Sequence, residues 1–350
     1  MKTRAAIQLE HNGPLTIDEI ELPDPDENQV VVKQFASGIC HSQLHQMHNP
    51  NAVRPLLLGH ESTGVVVGRG RNVTHVKEGD HVMVTWVPRN GHEGMTPPTQ
   101  GSMSYQGKTA SWQAAPTWAE STVAHEQYVV PLAKDVATDV TAIIGCAVMT
   151  GVGAVLNTAK VEPGSRVAIY GLGGVGLCVL TGCVIAGASQ IIAIDLHDDK
   201  LALAREFGAT DTINASNEDP VAKIQELTGG GADYAFDAIG AKVTMEQLLP
   251  SVKPGIAAIR EGGVAMLVGV PQVPATLNMR DIFLARTYRG SFGGSSRPDE
   301  DYPKFVQWFQ EGKLDLNKLV TARYKLDEIN EACDALAAGK IGGRAILTFE

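Results

Sequence analysis

The chain has 350 residues, enough for about two domains at roughly 150 residues each. With 44% hydrophobic and 19% charged residues it can bury a sizeable core, which excludes a disordered tail. Its 29 Lys and Arg against 39 Asp and Glu leave a net charge of −10, which excludes partners that need a basic surface, such as nucleic acid or an anionic membrane.

The first ten residues carry no apolar h-region, so no signal peptide is expected. Up to about residue 130, short β-type runs (29–33, 63–68, 81–84) alternate with Gly, Pro, Asn and Asp. That spacing predicts a β-rich module, barrel-like or sandwich-like. From 90 to 113 the text of Gly, Pro, Thr, Gln, Ser and Met has no periodicity and predicts a long surface loop. After Pro163-Gly164 strands and helices alternate. Strands are expected over 166–170, 190–194, 211–213, 234–237, 264–268 and 287–289, with helices over 175–186, 198–207 and 220–227. Six strands with crossovers describe an α/β fold with a doubly wound parallel sheet. The most apolar stretch, 175–187, is too short to span a bilayer and is broken by Thr181 and Gly182. From Ser295 onward, helices over 304–311 and 326–338 and a strand over 345–349 complete the chain, and no repeat at a solenoid period is present. Five unevenly spaced cysteines are too few for a disulfide scaffold and fit a reducing, cytoplasmic compartment.

The apolar run Arg166-Val167-Ala168-Ile169-Tyr170 leads directly into Gly171-Leu172-Gly173-Gly174-Val175-Gly176. A lone GxGxxG means little, but this one follows a strand, opens a helix and precedes a second strand ending in Asp195. Gly171 permits the tight turn, Gly173 lets the backbone approach a pyrophosphate, and Gly176 lets the helix pack on the sheet. Free N–H groups at the helix start suit the phosphates. Asp195 would accept from the adenosine ribose hydroxyls and repel a 2′-phosphate, which favours NAD over NADP. Lys200 either reaches the same ribose or is a solvated lysine.

Gly38-Ile39-Cys40-His41-Ser42, Gly59-His60-Glu61 and Gly145-Cys146 are unremarkable singly. Together with Gly79-Asp80-His81-Val82, the glycine turn, Gly293-Gly294 and the closing Gly343-Arg344-Ala345-Ile346-Leu347-Thr348-Phe349, they run through nearly the whole chain. In these motifs the chain resembles the zinc-dependent alcohol dehydrogenases of the medium-chain dehydrogenase/reductase superfamily. The resemblance implies a GroES-like catalytic domain in two parts, 1–147 and 294–350, around a Rossmann domain over 148–293, with the site in the cleft between them. It implies one catalytic zinc held by Cys40, His60 and Cys146, with a fourth position for water or substrate and Glu61 as a transient ligand; a Cys₂His set with an open position is the catalytic zinc arrangement of alcohol dehydrogenases. Ser42 would take the alcohol proton and pass it by way of the nicotinamide ribose to His45, unless both merely hydrogen-bond their loop. Hydride would move from the alcohol carbon to the nicotinamide. Thr150 and Val175 would back that ring, Val270 would lie near it, and His41 and Arg344 would face the pyrophosphate.

Two departures from the family pattern stand out. Many relatives hold a structural zinc in a lobe with four close cysteines, whereas residues 87–118 contain none. Cys178, Cys183 and Cys333 read as buried helix positions, so no structural zinc is expected and the lobe is held by packing alone. Relatives usually carry an aspartate at the position of Gln43, accepting the N–H of the zinc-bound histidine. Gln43 would accept through its amide oxygen without charge, leaving a zinc that is more electrophilic or more weakly held.

Trp86 and Trp112 would line the substrate channel, favouring a hydrophobic alcohol, aromatic or allylic among them; either indole would otherwise belong to the β-rich core. The expected partner is an alcohol or its aldehyde or ketone, with no nucleic acid and no membrane. A homodimer or homotetramer would form through the Rossmann sheet edge near 277–281. Two other readings compete: a relative reducing an activated C=C bond, against which the retained ligands speak, and a non-catalytic NAD-binding protein, in which a proton path would have no purpose.

Overall fold

The longest strand, Gln29–Ile39, is the spine of one of the two units into which the chain divides. That unit is Met1–Cys146 with Arg297–Glu350; the other is Ala147–Ser296. The computed structural model describes residues 1–89 and 97–349.

In the first unit the alternating valines of Gln29–Ile39 pack with those of the neighbouring strands: Val30, Val32, Val66, Val82, Val84 and Val129 form one buried cluster. The strand pairs antiparallel with Ser62–Arg69, with Ser121–His125 and, at its far end, with Arg344–Thr348. The last of these reaches back from the end of the chain, so the unit is closed by residues more than 300 positions apart. Arg344–Thr348 begins one residue before the strand expected from the sequence, which brings Arg344 into the sheet.

A second sheet carries a correction. Residues 100–113, expected to be loop, form the hairpin Gln100–Tyr105 and Lys108–Gln113. Its alternation is real: Met103, Tyr105, Ala110 and Trp112 point into a cluster with Ile7, Ile20, Leu57 and Val123. Two of the inward positions are only Gly101 and Ala110, so the apolar half of the period-two signal is faint. Gln106-Gly107 makes the two-residue turn with both φ positive, a place where Asn-Gly or Asp-Gly is the usual signature. Residues 90–96 of the expected loop lie outside the described residues.

The second unit holds a six-stranded parallel sheet in the order Asp211–Asn214, Gln190–Asp195, Arg166–Tyr170, Tyr234–Asp237, Val264–Leu267, Thr287–Gly290. The strand order reverses between Arg166–Tyr170 and Tyr234–Asp237, and ligands of such sheets bind at that switch point, outside the carboxyl ends of the strands. The apolar helix Gly174–Ile185 packs on the sheet, with Cys178 and Cys183 fully buried; Cys333 is buried in Ile329–Ala337 of the first unit. The helix expected over 304–311 starts earlier, at Pro298, where proline at the first turn and Asp299, Glu300 and Asp301 suit a helix N-terminus. Among the described residues no helix is long and apolar enough to cross a membrane.

Candidate metal and dinucleotide sites

Strand register assembles the first site. Ser62 pairs with Ser37 and with Val84, and Ala345 pairs with Ile39. One residue further along each strand, Glu61 meets Gly38, whose N–H donates to the Glu61 carbonyl at 3.1 Å, and Arg344 meets Cys40. Cys146 arrives at the end of the helical turn Val140–Gly145, held where Thr85 Oγ1 donates to the Gly145 carbonyl at 2.8 Å. Tyr302 in turn donates to Thr85 at 2.7 Å. Ligand atoms of Cys40, His60, Glu61 and Cys146 thereby lie within 4.8 Å of one another, all four residues buried.

Two glycines make room for this. A Cβ at Gly38 would stand 2.3 Å from the Glu61 carboxyl, and one at Gly145 would stand 2.6 Å from the Val84 carbonyl and 3.2 Å from the Glu61 Cβ. The Glu61 carboxylate forms a fully buried ion pair with the Arg344 guanidinium. Burial pushes the Glu61 carboxyl up, with Arg344 opposing it.

The two thiols are 3.9 Å apart, sulfur to sulfur. A tetrahedral centre with Zn–S bonds of about 2.3 Å would separate them by about 3.8 Å. The hydrogen bond from Cys146, aided by Arg344, holds the Cys40 thiol well below its ordinary range, and the same contact with burial pushes Cys146 up. A divalent cation would remove that opposition and take both as thiolates. His60 Nε2 is buried without a hydrogen-bond partner. Its other nitrogen, Nδ1, lies 2.6 Å from the Gln43 amide nitrogen, while the Gln43 oxygen accepts the Gly59 N–H at 2.5 Å. The sequence led to the opposite expectation, with the amide oxygen on the histidine. Buried soft donors around one orphaned imidazole nitrogen fit zinc.

The short helix His41–Met47 follows Cys40 directly. Ser42 donates to Cys40 Sγ at 3.2 Å. His45 lies half-buried with its ring 5.3 Å from that of exposed His41, and burial together with His41 holds it below the ordinary histidine value. Trp86, half-buried, follows the strand His81–Val84. Trp112 is buried in the hairpin core, the alternative that the sequence left open for it, with Gly101 seated against its indole.

In the second unit Gly171 has φ +88°, and a Cβ at Gly176 would collide with the Gly171 carbonyl at 1.8 Å, so the helix can begin only on glycine. At Gly173 a Cβ would meet nothing within 4 Å, leaving open space before the helix start at Gly174. Asp195, at the end of its strand, accepts from the N–H of Leu172 at 2.9 Å and of Leu196 at 2.8 Å, locking the glycine turn to the neighbouring strand. Lys200 stands on the following helix, Asp198–Glu206. Val175 is half-buried in the first turn of Gly174–Ile185. Thr150 is buried on Ala147–Gly153 with its hydroxyl unpartnered, and Val270 is half-exposed after Val264–Leu267.

Comparison with known proteins decides the family. Residues 26–134 match the alcohol dehydrogenase GroES-like domain, and 174–311 the zinc-binding dehydrogenase domain. The S-(hydroxymethyl)glutathione dehydrogenase of Paracoccus denitrificans is 35% identical, over 97% of this chain and 98% of its own. The chain belongs to the zinc-dependent alcohol dehydrogenases of the medium-chain dehydrogenase/reductase superfamily. Among solved structures of this family, benzyl alcohol dehydrogenase of Acinetobacter calcoaceticus superposes with a TM-score of 0.89 at 29% identity, covering 100% of both chains. An alcohol dehydrogenase zinc-binding domain protein from Burkholderia ambifaria gives 0.88 at 29%, over 100% of this chain and 99% of its own. The GroES-like and Rossmann folds and an oxidoreductase activity follow from that membership. Sequence reasoning missed the Glu61–Arg344 pair and the seat that Gly38 gives it. The available signal was an arginine opening an otherwise apolar terminal strand and a glycine just ahead of each ligand cysteine.

Proposed function

We propose that this zinc-dependent oxidoreductase takes NAD and a hydrophobic primary or secondary alcohol, aromatic or allylic alcohols among them, with one catalytic zinc per chain. The observation that carries the reading is the convergence of Cys40, His60 and Cys146, with an orphaned His60 Nε2, on one buried point. These three residues would hold the metal, with Glu61 beside it. When bound, zinc supplies Lewis acidity toward an alcohol oxygen and NAD supplies the hydride acceptor.

The chain's own residues do the rest. Ser42, one turn from His45 on the same helix, takes the alcohol proton, and His45, kept neutral by its burial, delivers it to solvent. The cation of Arg344 compensates the buried Glu61, so the centre is not overloaded with negative charge. The role of Arg344 toward a pyrophosphate stays part of the proposal, as does that of His41. Gly171, Gly173, Gly174 and Gly176 receive the dinucleotide at the helix start, Asp195 and Lys200 its adenosine ribose, and Thr150, Val175 and Val270 the nicotinamide. Trp86 is the pocket residue retained. The name of the Acinetobacter relative, a benzyl alcohol dehydrogenase, supports an aromatic substrate.

Exposed Ile259, Met279 and Phe283, near the edge strand Thr287–Gly290, support a homodimer through that edge. Five free cysteines support a reducing, cytoplasmic setting. The test is an NADH-absorbance screen over primary, secondary, benzylic and terpenoid alcohols, with zinc and molar mass measured on the same preparation. An α,β-unsaturated aldehyde reduced at its alkene would overturn the alcohol reading, and a monomer in light scattering would overturn the dimer.

A further inference from the structure

Gln43 is fully buried on the helix His41–Met47, and both ends of its amide are engaged. The oxygen accepts the Gly59 N–H at 2.5 Å and the nitrogen lies 2.6 Å from His60 Nδ1. An amide nitrogen can only donate, so in this arrangement Nδ1 must be the bare, accepting nitrogen of the ring. A neutral imidazole then carries its proton on Nε2, the nitrogen that faces the two thiols. A protonated Nε2 has no lone pair for a metal.

Turning the amide over exchanges one conflict for another. Its oxygen would accept an Nδ1–H and free Nε2 to bind, but its NH₂ group would then face the Gly59 N–H, donor against donor. Gly59 cannot step aside. Its φ is +99°, and it packs so closely that a Cβ on it would stand 2.4 Å from Thr117 Oγ1 and 2.6 Å from the Trp118 nitrogen. The Trp118 N–H is itself bonded to the Leu58 carbonyl at 3.0 Å. A carboxylate in this place would offer an acceptor oxygen to each of the two partners, whereas an amide sharing its two ends between them always turns an NH₂ group to one.

We propose that Gln43 is a positioning residue that stabilises the metal-free tautomer of His60, so that zinc loading requires the amide to turn over and the Gly59 N–H to lose its acceptor. The inference rests on the zinc reading of Cys40, His60 and Cys146. Its consequence is a centre that holds zinc less tightly than its donor set allows and exchanges it with the medium. Partners of a ligand histidine at this remove change metal affinity by about ten- to a hundred-fold.

The test uses the full chain, stripped by chelator dialysis and titrated with Zn²⁺ against a chromophoric chelator. Gln43→Glu is expected to bind Zn²⁺ at least tenfold more tightly than the unaltered protein; equal or weaker affinity in a folded variant would overturn the proposal. Nitrogen-15 NMR of the unaltered protein is a second readout that needs no folded Gln43 variant, with the His60 signal assigned by its loss in His60→Asn. Metal-free His60 is expected as the Nε2–H tautomer and the zinc-loaded ring as Nδ1–H. An Nδ1–H tautomer already present without metal would overturn the proposal. Co²⁺ separates the two layers of inference. If the unaltered protein shows no thiolate-to-cobalt band, the metal reading fails and the proposal falls with it; if the band is present and Gln43→Glu leaves Zn²⁺ affinity unchanged, only the proposal fails.

Discussion

Gly38 and the Glu61 carboxylate occupy adjoining space so closely that a single methyl group on Gly38 would stand 2.3 Å from the carboxyl carbon. Glu61 cannot retreat, because it is fully buried and paired with Arg344. Gly38→Ala is therefore expected to push Glu61 off its partner, lower zinc affinity and destabilise the first unit by about 1–3 kcal/mol, as overpacking does. Arg344→Met, which leaves Glu61 buried without a cation, should be worse, at about 3–5 kcal/mol. Thermal denaturation with parallel zinc analysis measures both; an alanine variant as stable and as zinc-loaded as the parent would show that the site has slack the geometry does not suggest.

Asp195 has two tasks that a substitution separates poorly but a cofactor comparison separates well. Its carboxylate fixes the glycine turn through the Leu172 N–H, and its charge would oppose a 2′-phosphate. Asp195→Ser keeps an acceptor and removes the charge. The expected outcome is a rise of about tenfold or more in KM for NAD, with the ratio of kcat/KM for NADP over NAD rising by at least tenfold, each factor of ten being about 1.4 kcal/mol. An unchanged ratio would count against the ribose role.

Much of this was legible in the sequence, and the reasons differ by element. The strand Arg166–Tyr170 and its glycine turn stand within residues of each other, so local apolar pattern and turn chemistry were enough. The ligand trio was readable only as a resemblance, because Cys40, His60 and Cys146 are joined by strand pairing across more than a hundred residues, which no local pattern encodes. Arg344 beside Glu61 depends on a register 283 positions long. The hairpin over 100–113 was hidden because Gly101 and Ala110 leave its inward face with little apolar weight and Gln106-Gly107 is an uncommon pair for its turn. Gln43 was noticed as a departure, yet which end of its amide met His60 was settled by Gly59, a neighbour only in space.

Asp233 carries an acid-sensitive joint in the second unit. Its carboxylate accepts the backbone N–H of Arg166 at 2.7 Å and the ammonium of Lys253, tying two adjacent strands to the segment that follows the helix Lys242–Ser251. Partial burial pushes the carboxyl up, but the bonds from Lys253 and Arg166 outweigh it and hold Asp233 below the ordinary aspartate value. A group lowered on folding adds stability that is fully present above its unfolded pKa, near 4, and is lost as pH falls through the folded value. Asp233→Asn should thus cost about 1–2 kcal/mol at pH 7, with the gap from the parent closing below about pH 4. Urea titrations of both proteins at pH 7 and at the lowest pH where they stay folded would check it; a gap that does not narrow with acid would assign the cost to packing.

Trp112 anchors the hairpin Gln100–Tyr105 and Lys108–Gln113, in the stretch 87–118 that carries no cysteine. Its indole is buried among Ile7, Leu57, Met103 and Val123, and Gly101 on the paired strand lies against its face, where a Cβ would come within 2.3 Å. Tyr105 closes the outer end of the hairpin by donating to Asp18 at 2.7 Å, and burial with that bond pushes its phenol up to about 12, so it remains a donor across the physiological range. With the proposed single zinc per chain, this packed aromatic makes two joined predictions. Metal analysis should return one zinc per chain, and stripping that zinc should leave the near-ultraviolet signal of the hairpin in place, since none of its residues is a ligand. Trp112→Ala should then cost about 3–5 kcal/mol, the range for deleting a large buried aromatic, and expose the hairpin to protease while Cys40, His60 and Cys146 still bind Co²⁺. Two zinc ions per chain, or a Trp112→Ala protein of unchanged stability, would mean that something other than this indole holds the hairpin.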